Sequence, residues 1–274
     1  MSRRVRIGRV PIDRVTFGEA LAAVERLVDA KRGGTVFTPN VDHVVLAEHD
    51  EALRAAYAEA SLSIADGMPV VWASRLLGDP LPEKVSGSDL ALPLVDLASR
   101  RRFRVYLLGG AAGSAERAAR VVEARGARVV GFASPSIEAD PSDASCASAA
   151  DAIARASPEL VLVGLGAPKQ EKLAHAIAPR VRPAVLLGVG ATIDFLAGAT
   201  PRAPALVSRV GLEWLYRLAH EPRRLWRRYL LRDPEFARVV YAQLRAARVT
   251  RRRDEAYGCS AGSVASRRGS TRRT

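Results

Sequence analysis

The sequence predicts an α/β fold, a Rossmann-like, doubly wound and mostly parallel sheet followed by a C-terminal Arg-rich helical appendage. Three observations carry this. Short Val- and Leu-rich runs alternate with Ala-rich stretches of helical length, the βαβα rhythm of parallel strands joined by crossover helices. Several of the runs are apolar throughout, as strands covered on both faces are. The charge is also unevenly placed. Residues 200–274 hold 18 Arg, no Lys and 6 acids, a net of +12, against +1 for residues 1–199.

In chain order, the strands are expected at 35–37, 62–64, 105–108, 128–130, 160–163 and 184–187. Helices are expected at 42–60, 67–77, 88–100, 114–125, 143–156 and 169–177. Residues 133–151, with Ser-Pro-Ser and Asp-Pro-Ser-Asp, read as a loop leading into a helix cap. From Pro204 the texture changes to two Arg-rich helical segments, 206–219 and 222–248, with Pro222 starting the second. The chain thus divides into an α/β body (1–203), a helical appendage (204–249) and a basic tail (250–274). The tail holds 7 Arg, 4 Ser and 3 Gly and almost nothing to bury, and it reads as disordered.

At 274 residues and 48% apolar composition, the chain can bury a sizeable core. Cys146 and Cys259 match no zinc or redox spacing and rule out a disulfide framework, which fits a reducing compartment. No apolar segment follows the basic Met1–Arg4, so no secretory signal is expected. The longest apolar stretch, 184–197, is shorter than a membrane span and is interrupted by Asp194. A cytosolic or peripheral protein is expected, with a C-terminal quarter that seeks polyanions, either nucleic acid or a membrane surface.

Open α/β sheets bind ligands beyond the carboxyl ends of their strands. Three post-strand turns carry compact polar groups and then open a helix: Thr38-Pro39-Asn40-Val41-Asp42, Ala65-Asp66-Gly67-Met68-Pro69 and Gly164-Leu165-Gly166-Ala167-Pro168-Lys169-Gln170-Glu171. Taken singly, Thr38, Asn40 and Asp66 are equally good helix caps. Gly109-Gly110-Ala111-Ala112-Gly113 suits either a phosphate or a tight turn, and no acid follows at the distance that would hold a ribose. No Asp-x-Asp pair occurs, and His43, His49, His175 and His220 have no metal-ligand spacing, so no metal or other cofactor is expected.

In their order, Thr38-Pro39-Asn40, Asp66-Gly67-Met68-Pro69, Val85-Ser86-Gly87-Ser88-Asp89-Leu90, Gly166 to Glu171, Asp194 to Gly198, Arg202-Ala203-Pro204 and Gly211 to Leu218 resemble the WecG/TagA/CpsF glycosyltransferases. The resemblance spans roughly residues 5–245. It implies an inverting transferase that moves a hexose or N-acetylhexosamine, such as N-acetylmannosamine, from a UDP-sugar. The acceptor would be an undecaprenyl-diphosphate-linked sugar, used to build cell-surface polysaccharide or teichoic-acid-type polymers. It also implies a peripheral enzyme on the cytoplasmic face of the membrane, docked on anionic lipid, with no nucleic-acid partner and homo-oligomerisation left open.

The same resemblance assigns roles. Asp66 matches the family's proposed general base, which takes the acceptor hydroxyl proton during attack on the anomeric carbon. Thr38 and Asn40 would orient a sugar, Gln170 would bind donor groups, and Asp89 stands as a binding residue or as a helix N-terminal charge. Arg217, Arg224 and Arg227 match arginines that would stabilise the departing diphosphate. Lys84 stands where the family more often has Arg; it keeps the charge and loses bidentate phosphate geometry. Two other readings compete: a Rossmann-type NAD(P) enzyme, which the glycine spacing does not support, and a nucleic-acid binder using the basic C-terminus, where few aromatics look exposed for stacking and the body carries no known reading module.

Overall fold

The computed structural model describes residues 3–138, 140–200, 207 and 212–249, without the side chains of Asp143, Glu213, Arg217 and Arg224. The expected disordered tail, the body–appendage boundary at 203/204 and the Arg202-Ala203-Pro204 motif lie outside the described residues.

The chain opens with a hairpin, β1 (Arg4–Ile7) and β2 (Val10–Asp13), followed by α1 (Phe17–Asp29). Thr16 and Glu19 form a reciprocal capping box at the start of α1. The sheet then builds through β3 (Gly34–Phe37), α2 (Val41–His49), α3 (Glu51–Glu59) and β4 (Leu62–Ser63). Next come α4 (Met68–Leu76), α5 (Gly87–Arg101), β5 (Arg104–Gly109), α6 (Ser114–Ala124) and β6 (Arg128–Ala133). It closes with α7 (Asp143–Ala156), β7 (Leu160–Gly164), α8 (Lys169–Ile177), β8 (Val185–Gly188) and α9 (Thr192–Leu196).

All six expected strands form, in the order β4-β3-β8-β7-β5-β6, and every pairing is parallel. Alternate residues of each strand feed two cores, one per face. Val105, Leu107, Leu162 and Leu187 pack against α1, α5 and α6; Tyr106, Leu108, Val163 and Leu186 pack against α2, α3, α7 and α8. The fold class is therefore as the sequence predicts.

Two expectations change in detail. The helix expected over 42–60 is two helices, because Asp50 adopts an extended conformation and caps α3 by accepting the Leu53 N–H (2.9 Å). The second C-terminal segment is also not one helix. Past α10 (Glu213–His220), α11 (Pro222–Trp226) starts at Pro222 as expected, then widens into a π-helical turn, Arg227–Arg232. After Asp233-Pro234 a final helix, α12, runs over 235–249. It is fixed to the body where Val240 enters the core and Gln243 bridges the hairpin, donating to Arg6 O (2.7 Å) and accepting from Gly8 N (2.9 Å).

Candidate functional site

The strand order creates a switch point, since β3 leads outward to β4 while β5 leads the opposite way to β6, with β7 and β8 between them. The carboxyl ends of these strands frame a polar cleft of about 530 Å³. Its walls include Thr38 and Asn40 after β3, Gly164 to Ala167 after β7, and Val189 to Ala191 after β8. Asp66, after β4, completes it.

Thr38 is buried, and its hydroxyl donates to Gly188 O (3.3 Å), tying β3 to β8 at the cleft floor. Asn40 caps α2: its Oδ1 accepts from Asp42 N (3.1 Å), and His43 Nδ1 lies 3.2 Å from Asn40 N and 2.8 Å from Asn40 Oδ1. The other ring nitrogen, Nε2, faces Glu171 Oε1 at 3.2 Å. Glu171 is fully buried and takes a 2.7 Å hydrogen bond from Gln170 Nε2; Gln170 Oε1 accepts from Gly190 N at 3.0 Å. Gln170 thus lines the cleft, yet both ends of its amide already hold protein groups, one of them the post-β8 loop. Tyr57, sealed beneath, has its phenol pushed up by burial and then by the charges of Glu171, Asp42 and Asp66.

Asp66 is half-buried, and its N–H donates to Pro39 O (2.9 Å), locking the two post-strand turns together. Gly67 follows at φ +114°, a conformation that side chains resist, and it lets the chain leave Asp66 at the cleft wall before Met68-Pro69 open α4. The Asp66 turn also borders a second, more apolar groove of about 380 Å³, between Gly67–Pro69 on one side and Trp214, Tyr229 and Phe236 on the other. Asn40, Asp66 and Arg228 are common to both.

Lys84 borders the apolar groove and pairs with Asp89 (3.3 Å). Asp89 itself stands in the first turn of α5, where Ser86 Oγ accepts its N–H (3.0 Å), and it borders neither cleft. Arg227 is exposed, with its guanidinium over the Trp226 ring, and it too borders neither. The side chains of Arg217 and Arg224 lie outside the described residues.

Among the described residues, the basic side chains that reach the cleft are Lys169, Arg228 and Arg232. Asp42, nearly inaccessible, grips both arginines: Arg228 Nε at 3.3 Å and Arg232 Nη2 at 2.5 Å. Arg228 Nη2 also donates to Asn40 Oδ1 (3.1 Å), so one guanidinium joins the π-helical turn to the cap of α2. Next to them Asp233 is pushed up to about 6, chiefly by burial; Asp42 adds to the shift, and the arginines offset only part of it. Sequence reasoning missed Asp42, His43, Glu171, Arg228 and Arg232. One available signal was the four-residue spacing of Arg224, Arg228 and Arg232, which sets arginines on one helix face with Arg227 off it.

The glycine turn after β5 borders the cleft at Gly110 and Ala111 and is held by protein contacts. Gly110 N donates to Gly164 O (2.8 Å) and Ala111 N to Asp194 Oδ1 (2.8 Å), so both amides at the cleft are already engaged. A Cβ on Gly110 would come within 2.8 Å of Ile193. Among the described residues, no group of three or more His, Cys, Asp or Glu side chains could hold a metal ion. No described helix is long and apolar enough to cross a membrane.

Residues 5–250 match the family model described as "Glycosyl transferase WecG/TagA/CpsF family". One similar protein, from Bacillus spizizenii, is named N-acetylglucosaminyldiphosphoundecaprenol N-acetyl-beta-D-mannosaminyltransferase. It is 32% identical over 224 residues, covering 80% of this chain and 83% of the relative. A Bacillus subtilis protein of the same name is 29% identical over 215 residues, covering 78% and 81%.

Proposed function

Because the chain belongs to the WecG/TagA/CpsF glycosyltransferase family, we propose that it transfers an N-acetylhexosamine, such as N-acetylmannosamine, from a UDP-sugar to a polyprenyl-diphosphate-linked sugar, with inversion. That the enzyme is a glycosyltransferase follows from the family; the donor, the stereochemistry and the residue roles are the proposal. The observation that carries it is the position of Asp66, on the wall shared by a polar switch-point cleft and an apolar groove.

In this reading the nucleotide diphosphate occupies the polar cleft, and the acceptor reaches Asp66 from the apolar side. Asp66 takes the proton of the acceptor hydroxyl as that oxygen attacks the anomeric carbon and the bond to UDP breaks. The electron pair leaves on the diphosphate, where cationic side chains compensate it. Arg228 and Arg232 are held for this by Asp42, and the arginines at 217, 224 and 227 are proposed to join them when substrate is bound. Thr38 and Asn40 orient a sugar, and Gln170 sets the post-β8 loop against the donor. The α-linkage of a UDP-sugar and the β-linkage in the relatives' names together favour inversion. Exposed Trp226, Leu230 and Leu231 beside the arginines favour peripheral docking on the inner membrane face, where a lipid-linked acceptor resides.

The test supplies UDP-N-acetylmannosamine and a short-chain prenyl-diphosphate-N-acetylglucosamine, and follows UDP release and the one-bond C1–H1 coupling of the new linkage. A β-linked product is expected. Absence of transfer from any UDP-sugar, or an α-linked product, overturns the reading.

A further inference from the structure

Asn40 is the only asparagine in the chain. Its Oδ1 accepts from Asp42 N (3.1 Å) and from Arg228 Nη2 (3.1 Å), two groups that can only donate, so the oxygen end of the amide is committed to the protein. Nδ2 is the end left over, and among the described residues nothing accepts from it. An aspartate would serve everything the oxygen does. It caps a helix equally well, as Asp50 does for α3, and it would pair more strongly with Arg228. What asparagine alone supplies is a hydrogen-bond donor at the cleft wall.

Two buried side chains behind Asn40 have no part in the mechanism above. The His43 side chain is 6% exposed and that of Glu171 is 0%. His43 Nδ1 meets Asn40 whichever ring nitrogen carries the hydrogen: with it, Nδ1 donates to Oδ1 (2.8 Å); without it, Nδ1 accepts from the backbone N–H (3.2 Å). The opposite edge of the ring meets Glu171 at 3.2 Å, and Tyr57 packs edge-on against it (centroids 6.2 Å apart), so the imidazole is gripped on three sides. Glu171 is held in turn by Gln170, and Gln170 holds Gly190 N. One chain of contacts thus runs from the post-β3 turn through the start of α8 to the post-β8 loop.

We infer that His43, backed by Glu171, is a positioning residue that keeps the Asn40 amide nitrogen turned to the bound sugar, where it donates to a hydroxyl or N-acetyl carbonyl oxygen. The inference rests on the sugar-orienting role proposed for Asn40 and adds the polarity of that contact and the side chains that enforce it. A fixed donor selects a sugar with an oxygen lone pair at that place. A deoxy sugar leaves the donor unmatched, and an ammonium group sets donor against donor.

Because Asn40 is the sole asparagine, labelling asparagine side chains with nitrogen-15 yields one amide pair in the NMR spectrum of the full chain. UDP, UDP-N-acetylmannosamine and the short-chain prenyl-diphosphate-N-acetylglucosamine are added separately. One of the two sugar substrates should move an amide hydrogen downfield, and UDP alone should not. His43→Phe keeps a ring against Tyr57 and removes both nitrogens. In it the Nδ2 order parameter should fall from a rigid value of about 0.85 to below about 0.6. His43→Gln reaches the Asn40 backbone N–H as a capping-box glutamine does, and it should recover the rigid value. In transfer assays KM for the responding sugar should rise about 3–10-fold in His43→Phe, as loss of one neutral hydrogen bond gives, with kcat within about twofold. A merely structural role would lower kcat through lost folded protein and leave KM in place. Asn40→Ala should raise the same KM, and adding His43→Phe to it should raise KM no further.

An amide pair that responds to neither sugar substrate overturns the inference, as does an equal shift with UDP alone. So does an unchanged order parameter in His43→Phe, or KM effects of Asn40→Ala and His43→Phe that multiply. If His43→Phe does not fold, Asn40→Asp takes its place: it keeps the cap and the Arg228 pairing and removes only the donor, so an unchanged KM there is the refuting result. If the wild type transfers no sugar, the functional reading fails instead. The labelled amide then decides alone: release of a rigid pair by His43→Phe supports the positioning role, and no difference between the two proteins overturns it.

Discussion

Replacing Asp42 by Asn tests whether the C-terminal segment is held over the cleft by one buried carboxylate. Asp42 is 3% exposed at its side chain and faces Arg228 (22%) and Arg232 (40%). Breaking a fully buried pair by removing one partner costs about 3–5 kcal/mol. Arg232 keeps much of its hydration, so about 2–3 kcal/mol is expected here, with the helix N-terminal charge of Asp42 contributing a few tenths more. For a protein of this size that corresponds to a drop in Tm of about 4–12 °C. Arg232→Ala alone should cost about 1 kcal/mol, and in the double variant the two losses should overlap by at least about 0.5 kcal/mol. Thermal melts and urea titrations of the four proteins read this directly. A Tm for Asp42→Asn within one degree of wild type, or strictly additive losses, would refute the reasoning.

Asp66→Asn keeps the shape of the turn and removes the proton acceptor, so kcat should fall by roughly 10²–10⁴ with the melting curve unchanged; near-normal turnover takes Asp66 out of the mechanism. Gly67→Ala meets a backbone that resists a side chain at φ +114° and should cost about 1–3 kcal/mol together with activity, whereas an unchanged melt would show the turn to be adaptable. Gln170→Leu strands Gly190 N–H and takes the amide donor away from buried Glu171, and a loss of about 1–3 kcal/mol is expected in urea unfolding. Asp233, raised to about 6 in the folded chain from an ordinary 3.8, favours folding when protonated, and that contribution is lost as pH rises through 6. Asp233→Asn should therefore raise Tm relative to wild type at pH 7.5 and lose this advantage below pH 4; a constant difference across that range would contradict the shift.

The strands were legible because β5, β7 and β8 are short, nearly continuous apolar runs, as strands covered on both faces are. The hairpin was not foreseen. Its strands are four residues each, and Arg4-Val5-Arg6-Ile7 alternates over too short a window to stand out from a basic N-terminus. Asp50 shows the same limit: within a helical pattern, a cap residue that ends one helix and starts the next looks like one more polar position. At the site, Thr38, Asn40, Asp66 and Gln170 were legible because each sits in a strand-to-helix turn, where local order fixes position. The pairing of Asp42 with Arg228 and Arg232 was not, since 186 and 190 residues separate them and no local pattern encodes which arginine of so many returns to which acid. Arg227 illustrates this: one position from Arg228, it points to solvent.

The placement of β8 bears on how the chain is made. Among the described residues it is the last strand in sequence, and it lies near the middle of the sheet, between β3 and β7. During synthesis β3 can pair with β4, and β5 with β6 and β7, giving two ribbons with nothing between them. At ordinary elongation rates of 5–20 residues per second, the inner edge of β3 waits on the order of ten seconds for residues 185–188 to emerge. Open edges of this kind invite pairing with other chains. Ribosome-stalled chains ending before residue 185 should accordingly be protease-sensitive and bound by chaperones, and chains extended far enough for β8 and α9 to clear the ribosome should be less so, because the arrival of one four-residue strand converts two ribbons into a single sheet.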